Sequence, residues 1–355
     1  MHFSALHLAD WRCWPSLEVR PAAGINVLLG ANGSGKTSIL EAMYVLSHGR
    51  SFRGGGVSAL VRQGAAAFVV HAETVRGGRT TRLGLSRTPE GWTARADGES
   101  LPRLADLLAR VAVLCVEPGS QALVTGPAEL RRRLLDWGLF HVEPGFLPYW
   151  QRYRRALAQR NAGLRQAARA SHLAAWEESM DAAAQQLDRL RSRYLEQWRR
   201  YLEGYLQHWL PELGAMELQY QRGWPAAHPL AEVLRAQRQR DRAAGYTRPG
   251  PHRADWHVVF ARAPDRHHLS GGQAKLIALA SLLAQFELHR ETHGDAPVLL
   301  LDDLASELDT GHFSTVIRQI EGCAAQAWIT SVQPLAVPLC GARVFHVEHG
   351  RIRAA

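Results

Sequence analysis

Ile25-Asn26-Val27-Leu28-Leu29-Gly30-Ala31-Asn32-Gly33-Ser34-Gly35-Lys36-Thr37-Ser38-Ile39-Leu40 decides the fold. The first five residues read as a short buried strand, and Ile39, Leu40, Met43 and Leu46 then recur at helical spacing. Between them, Gly30 to Thr37 is a complete G-x-x-x-x-G-K-[ST] loop. A strand that enters a glycine-rich turn and opens a helix aims backbone N–H groups and a helix N-terminus at one point, where a phosphate binds. Gly30, Ala31, Asn32, Gly33, Ser34, Gly35, Lys36, Thr37 and Ser38 are therefore the expected nucleotide-phosphate site. Lysine usage points the same way. The 42 Lys and Arg residues include only two lysines, Lys36 and Lys275. Arginine serves nearly everywhere else, so lysine is kept where a compact ammonium on a slim stem is needed.

The second lysine follows Leu269-Ser270-Gly271-Gly272-Gln273, which resembles the signature of ABC-class ATPases. Ser270, Gly271, Gly272 and Gln273 place a hydroxyl and glycine amides at a helix start, an anion site. In that class the element meets the γ-phosphate of ATP held by a second subunit, which implies an ATP-dependent homodimer. Downstream, Val298-Leu299-Leu300-Leu301 ends in Asp302-Asp303, an apolar strand delivering carboxylates to the edge where open α/β sheets place ligands. Lys36 is expected to bridge the β- and γ-phosphates, with Thr37 and Asp302 on Mg²⁺ and Asp303 orienting the attacking water. The short Asp303, where transport ATPases carry Glu, suggests slow turnover. Ser306-Glu307-Leu308-Asp309 follows in the D-loop position. Gln121 falls where a metal-contacting Gln would lie, or is a plain loop residue. No His follows Ala327-Trp328-Ile329-Thr330-Ser331, so the γ-phosphate sensor is missing or replaced by Thr330 or Ser331.

Around these motifs the pattern alternates between strand and helix. Three β-like segments, 68–75, 80–86 and 91–95, suggest an antiparallel subsheet, and 111–116 reads as another buried strand. From 127 to 244 helical periodicity takes over. Leu173, Trp176, Met180, Ala183, Leu187, Leu190, Tyr194, Trp198, Tyr201, Tyr205 and Trp209 form one long seam that Pro211 stops, with a partner helix at 149–166. Strand 256–260, helix 272–288 and strand 298–301 return the chain to α/β. The expected architecture is a P-loop α/β core with an antiparallel β-subdomain, the ABC-type ATPase head, interrupted by an α-helical lobe. Its divisions are 1–126, 127–244 and 245–355.

Bulk properties exclude several classes. A 355-residue chain with 46% hydrophobic and 21% charged residues can bury a full core. No apolar run approaches the roughly 20 residues of a membrane span. No basic-then-apolar leader opens the chain, so a cytoplasmic location is expected. Cys13, Cys115, Cys323 and Cys340 are scattered and read as ordinary buried thiols, and His267-His268 alone makes no metal site. The net charge of +9 favours polyanions.

The chain resembles the RecF family of bacterial recombination-mediator ATPases along nearly its whole length. The likeness rests on the phosphate loop with Leu40-Glu41-Ala42, and on His48-Gly49-Arg50-Ser51-Phe52-Arg53. It rests also on Arg131-Arg132-Arg133-Leu134-Leu135-Asp136-Trp137, Gln159-Arg160-Asn161, Gly250-Pro251-His252-Arg253-Ala254-Asp255 and the Asp302–Asp309 run. The resemblance implies ATP and Mg²⁺ as cofactors and a monomer that dimerises on ATP. It implies binding to double-stranded and gapped DNA, including strand junctions. It further implies RecR and RecO as partners in loading RecA, and weak DNA-stimulated ATP hydrolysis. Arg12 is the expected base contact; Arg12 and Trp14 are read as contacting the base or as packing. Arg53, Arg131 and Arg132 face DNA or ATP, or are structural, and Gly250–Arg253 is a turn that positions the sheet. The competing readings are a transporter nucleotide-binding subunit and a small chromosome-organising ATPase. The basic charge, the helical insertion and the absent switch His stand against the first, and the lack of long coiled-coil arms against the second.

Overall fold

A computed structural model describes residues 1–166, 169–323, 325–335, 339, 341–348 and 350–354. The chain opens with β1 (His2–Trp11), β2 (Trp14–Val19) and β3 (Ile25–Leu29), and the phosphate loop leads into α1 (Lys36–His48). Next come β4 (Phe68–Arg76), β5 (Arg79–Thr88), β6 (Gly91–Ala96), β7 (Glu99–Ser100), α2 (Leu104–Leu108) and β8 (Val113–Val116). The middle holds α3 (Ala122–Thr125), α4 (Ala128–Val142), α5 (Phe146–Arg165), α6 (Ala170–Trp209) and β9 (Met216–Gln221). After α7 (Leu230–Ala236), α8 (Arg238–Ala244) and β10 (Asp255–Phe260) comes the signature helix α9 (Gly271–His293). The end is β11 (Val298–Leu301), α10 (Leu304–Glu307), α11 (Thr310–Gly322), β12 (Ala327–Ser331), β13 (Arg343–Glu348) and β14 (Arg351–Ala354).

Two compact units emerge, Met1–Ser120 with His289–Ala355, and Gln121–Leu288. This partition differs from the expected one, because residues 245–288 cluster with the helices and not with the head.

The first unit is built on two six-stranded sheets, β2-β1-β4-β5-β6-β7 and β14-β13-β3-β12-β11-β8. The first is antiparallel, as the alternating segments indicated, while β8, β11, β12, β3 and β13 of the second run parallel. Helix α1 is buried nearly all round, and Ile39, Leu40, Met43 and Leu46 share one core with Phe3, Leu83 and Leu85 of the antiparallel sheet and Leu28, Leu300 and Trp328 of the parallel one. Gln326 fastens β1 with both ends of its amide. Its Oε1 accepts from Phe3 N–H at 2.8 Å and its Nε2 donates to Phe3 O at 2.8 Å. A buried amide satisfied this way fixes register, because any slip would orphan it.

The second unit packs α5 against α6 with the antiparallel pair β9–β10. Tyr153, Leu157 and Leu164 face inward as expected. The seam on α6 drifts from its expected line. Leu202 and Leu206 are buried where Tyr201 and Tyr205 were expected, and Trp176 is 37% exposed. Buried charge explains two of the departures. Glu177 and Arg191 occupy core positions because each has partners there, a property hydropathy does not register. Arg160 Nη1 donates to Asp241 at 2.8 Å and to Thr247 Oγ1 at 2.7 Å, and its Nε reaches Glu177 at 3.2 Å. Arg191 donates to Asp136 at 2.7 Å and to Pro251 O at 2.8 Å. Arg131 is buried in a bidentate pair with Asp255 at 2.7 and 2.9 Å, and Arg132 donates to Ala254 O at 2.8 Å. The narrow sequence motifs therefore act here as internal framework. Arg131 and Arg132 fit the structural alternative, and Gly250–Arg253 is the turn that precedes β10.

His252 in that turn is held neutral. Its Nδ1 meets the Tyr153 hydroxyl at 2.6 Å and its Nε2 meets Thr247 O at 3.1 Å, so the ring accepts from the phenol and donates to the carbonyl. Burial first, and then nearby guanidinium groups, lower its pKa from 6.5 to about 4. The unfolded chain therefore binds the proton more readily between those values. Stability conferred by neutral His252 is complete above pH 6.5 and is lost as pH falls towards 4. Over that window wild type is expected to lose about 3 kcal/mol more than His252→Gln in urea denaturation. Parallel stability curves for the two proteins would refute this.

The cysteine expectation needs correction. Cys115 is buried, but Cys323 is half-buried and Cys13 is exposed, because Cys13 sits at the tip of the β1–β2 turn; Cys340 lies outside the described residues. Among the described residues no helix is long and apolar enough to cross a membrane.

Candidate nucleotide site

The phosphate loop wraps the start of α1 as its sequence demands. Gly35 caps the helix at φ 107°, a region closed to side chains, and a Cβ there would lie 2.8 Å from the Trp14 ring. Trp14 is fully buried and its Nε1 donates to Gly35 O at 3.3 Å, so it supports the loop from beneath and does not stack on a base. Gly35→Ala is expected to cost about 2–4 kcal/mol through the forced φ and the clash. ATP affinity should fall with it. An unchanged melting temperature with unchanged ATP binding would contradict this account of the loop.

Lys36 is 4% exposed, and its Nζ donates to Gly30 O at 2.7 Å and Ala31 O at 2.9 Å. Burial lowers its pKa, opposed by the charges of Asp303 and Asp302. Ser34 Oγ is buried in the loop without a hydrogen-bond partner. Opposite stands the end of β11. Asp302 Oδ1 accepts from Thr37 Oγ1 at 2.9 Å and from Thr330 Oγ1 at 2.8 Å. Burial raises the Asp302 pKa, while those two hydroxyls pull it down. Thr330 also accepts the Asp303 N–H at 2.8 Å, so one hydroxyl fixes both aspartates. Asp303 itself adopts φ 49°, a strained conformation for a residue with a Cβ and one found at functional sites.

Lys36, Thr37, Ser38, Asn32, Gly33, Gly35, Arg12, Arg53 and Asp303 line a cavity of about 760 Å³. Asp303 and Asn32 also line a second cavity of about 430 Å³ with Ser306, Ser331 and Gln333. The first is a nucleotide-sized hollow with its cations at the phosphate loop. Mg²⁺ is held elsewhere by one or two carboxylates together with substrate phosphates. The touching Thr37 hydroxyl and Asp302 carboxylate fit that pattern of hard oxygen donors. Among the described residues no group of three or more His, Cys, Asp or Glu forms a metal cage of its own.

Other expectations fare differently. Arg12 does line the cavity, but its Nε donates to Glu41 at 2.7 Å and its Nη1 to Ala59 O at 2.6 Å. Thr330 is buried and its hydroxyl orients Asp302, and both Thr330 and Ser331 line the second cavity. Gln121 belongs to the second unit, at the N-cap position of α3, with its Oε1 buried and without a partner. In that unit too, the signature starts α9 with reciprocal caps. Ser270 Oγ accepts from Gln273 N–H at 3.2 Å, and Gln273 Oε1 accepts from Ser270 N–H at 2.9 Å. Gly271 and Gly272 are exposed, with no atom crowding a Cβ at either.

Several residues at or beneath the cavity were given no role by the sequence reading. Glu41 is fully buried, pairing with Arg12 and accepting from Ser51 Oγ. A carboxylate inside the apolar run from Ile39 to Met43 was the available signal. Arg62 and Gln63 line the cavity, with Arg62 Nε donating to Asp10 at 2.7 Å. Gln333 carried no motif and could not have been found.

A family model described as AAA domain matches residues 5–66. The DNA replication and repair protein RecF of Stenotrophomonas maltophilia is 44% identical over 362 residues, covering 100% of each chain. A solved structure of the recombination mediator RecF with ATP, from the RecFOR pathway, superposes with a TM-score of 0.91 at 23% identity, covering 100% of this chain and 97% of that one. An Smc head domain of Pyrococcus furiosus with an extended coiled coil shares the fold more distantly, with a TM-score of 0.58 at 14% identity, covering 100% of this chain and 96% of that one.

Proposed function

The chain belongs to the RecF family, and from that premise we propose that it is an ATP-gated DNA clamp of recombinational repair. The observation that carries the reading is the pairing, in one chain, of a complete phosphate cavity with a signature whose glycines have open space above them. Glycine at a helix start weakens the helix. Among the described residues no atom crowds a Cβ at either, and the close approach of a phosphate held by a second copy would account for both glycines.

ATP enters the cavity with its β- and γ-phosphates against the loop N–H groups and the Lys36 ammonium. Thr37 and Asp302 would hold Mg²⁺ beside the nucleotide, and the ion would supply neutralisation of phosphate charge. Thr330 keeps the Asp302 carboxylate turned towards Thr37. Asp303 orients the attacking water and takes up its proton. Ser270, Gly271, Gly272 and Gln273 of a second copy close over the γ-phosphate, so two ATP molecules are sandwiched between heads. Hydrolysis is slow, consistent with the short Asp303 and with a sequence after β12, Val332-Gln333-Pro334-Leu335, that holds no His. The dimer holds duplex and gapped DNA, and RecR and RecO type proteins act with it to load RecA.

Asp303→Asn is the test. It should bind ATP normally, hydrolyse it about 100-fold more slowly and remain dimeric on DNA. Phosphate release at the wild-type rate would remove Asp303 from the mechanism.

A further inference from the structure

The second unit carries an exposed aromatic ring beside arginines that, among the described residues, make no ion pair. Tyr246 follows the C-cap of α8 and is 42% exposed, among the most exposed large apolar side chains described. The Arg253 guanidinium lies 5.7 Å from its ring centroid, and Arg165 reaches the neighbouring Gly245 O at 3.4 Å. Arg253 comes from the turn before β10, where the Tyr153–His252 hydrogen bond at 2.6 Å fixes the backbone. Arg132, Arg154 and Arg253 are the positive charges that face His252. Arg154 in turn rests 5.3 Å from the Trp150 ring centroid. Among the described residues Arg154 and Arg253 make no ion pair, although most arginines buried in this unit are matched to a carboxylate. Arg253 on the anchored turn and Arg154 on α5 are exposed cations open to an outside anion.

We propose that Tyr246, Arg253 and Arg154 form a platform for single-stranded DNA, with an unpaired base on Tyr246 and its flanking phosphates on the two arginines. The inference rests on the DNA-binding reading above and adds where the unpaired strand lies. An exposed ring offers a face to a base, and neighbouring guanidinium groups track the backbone. Duplex cannot use the ring, since its bases are already stacked on each other. The platform therefore gives preference for gapped over continuous duplex. An acidic protein surface would satisfy the arginines but gives the ring no specific partner.

The test compares wild type, Tyr246→Ala, Tyr246→Phe and Arg253→Gln, with ATP present, on continuous duplex and on duplex with a dT gap. Tyr246→Ala should lose about tenfold in affinity for the gapped DNA while duplex affinity and ATP hydrolysis without DNA stay unchanged. Tyr246→Phe keeps the ring and should bind the gap as wild type does. Arg253→Gln should shallow the salt dependence on the gapped DNA by about 0.7 in log–log slope. Gap affinity unaltered in both Tyr246→Ala and Arg253→Gln would overturn the proposal and leave the patch to a protein partner. Failure of wild type to bind either DNA would instead overturn the clamp reading itself.

Discussion

Lys36→Arg is expected to slow ATP hydrolysis by about 100-fold and weaken ATP binding, although the charge is conserved. The ammonium sits between Gly30 O at 2.7 Å and Ala31 O at 2.9 Å in a pocket that leaves it 4% exposed. A planar guanidinium needs more width and places its donors in a fixed fork. It would spread the loop or push out of it, and the loop rests on buried Trp14 and cannot yield cheaply. Burial also lowers the Lys36 pKa, opposed by the charges of Asp303 and Asp302. Steady-state phosphate release and equilibrium ATP titration check this, and rates within twofold of wild type would deny Lys36 its role.

Ser270→Arg is expected to bind ATP as wild type does and yet stay monomeric. Ser270 is exposed at the start of α9, and its hydroxyl caps that helix by accepting from Gln273 N–H at 3.2 Å. Losing a cap costs only about 1 kcal/mol, so the fold survives. The long side chain, however, fills the space above Gly271 and Gly272 where a second copy's phosphate is to sit. Ser270→Ala loses the cap without adding bulk and separates the two effects. It should dimerise more weakly than wild type but measurably. ATP-dependent dimerisation of Ser270→Arg equal to wild type would remove the signature from the interface.

Much of this was legible in residue order, for identifiable reasons. Strand β12 falls on its expected residues, Ala327–Ser331, and the motif from Gly30 to Thr37 runs from the end of β3 into the first turn of α1 as its pattern required. Such segments are short-range, with local sequence, backbone shape and chemistry in agreement. Strand β9 was hidden because Met216-Glu217-Leu218-Gln219-Tyr220-Gln221 is only half-buried on its two-stranded ribbon. The seam on α6 was misplaced where Glu177 and Arg191 are buried, because their burial depends on Arg160, Arg238, Asp136 and Pro251 O, far away in sequence. The same blindness hid Glu41, whose partner Arg12 lies on another element. Trp14 was read as a base contact or as packing, and it is a support beneath the phosphate loop. Sequence patterns show which residue types surround a phosphate, but not which of them touches it and which holds another in place.

The account stands on ATP joining two copies into a form that grips DNA. Dimerisation doubles the basic surface presented to one duplex, so affinity should rise with it and fall steeply with salt. The most direct measurement is sedimentation of the purified chain with ADP or ATP, each with and without duplex DNA. A monomer in ADP, a dimer in ATP, and co-sedimentation with duplex only in ATP is the expected result. One sedimentation coefficient in both nucleotides, with equal duplex binding in each, would contradict the clamp.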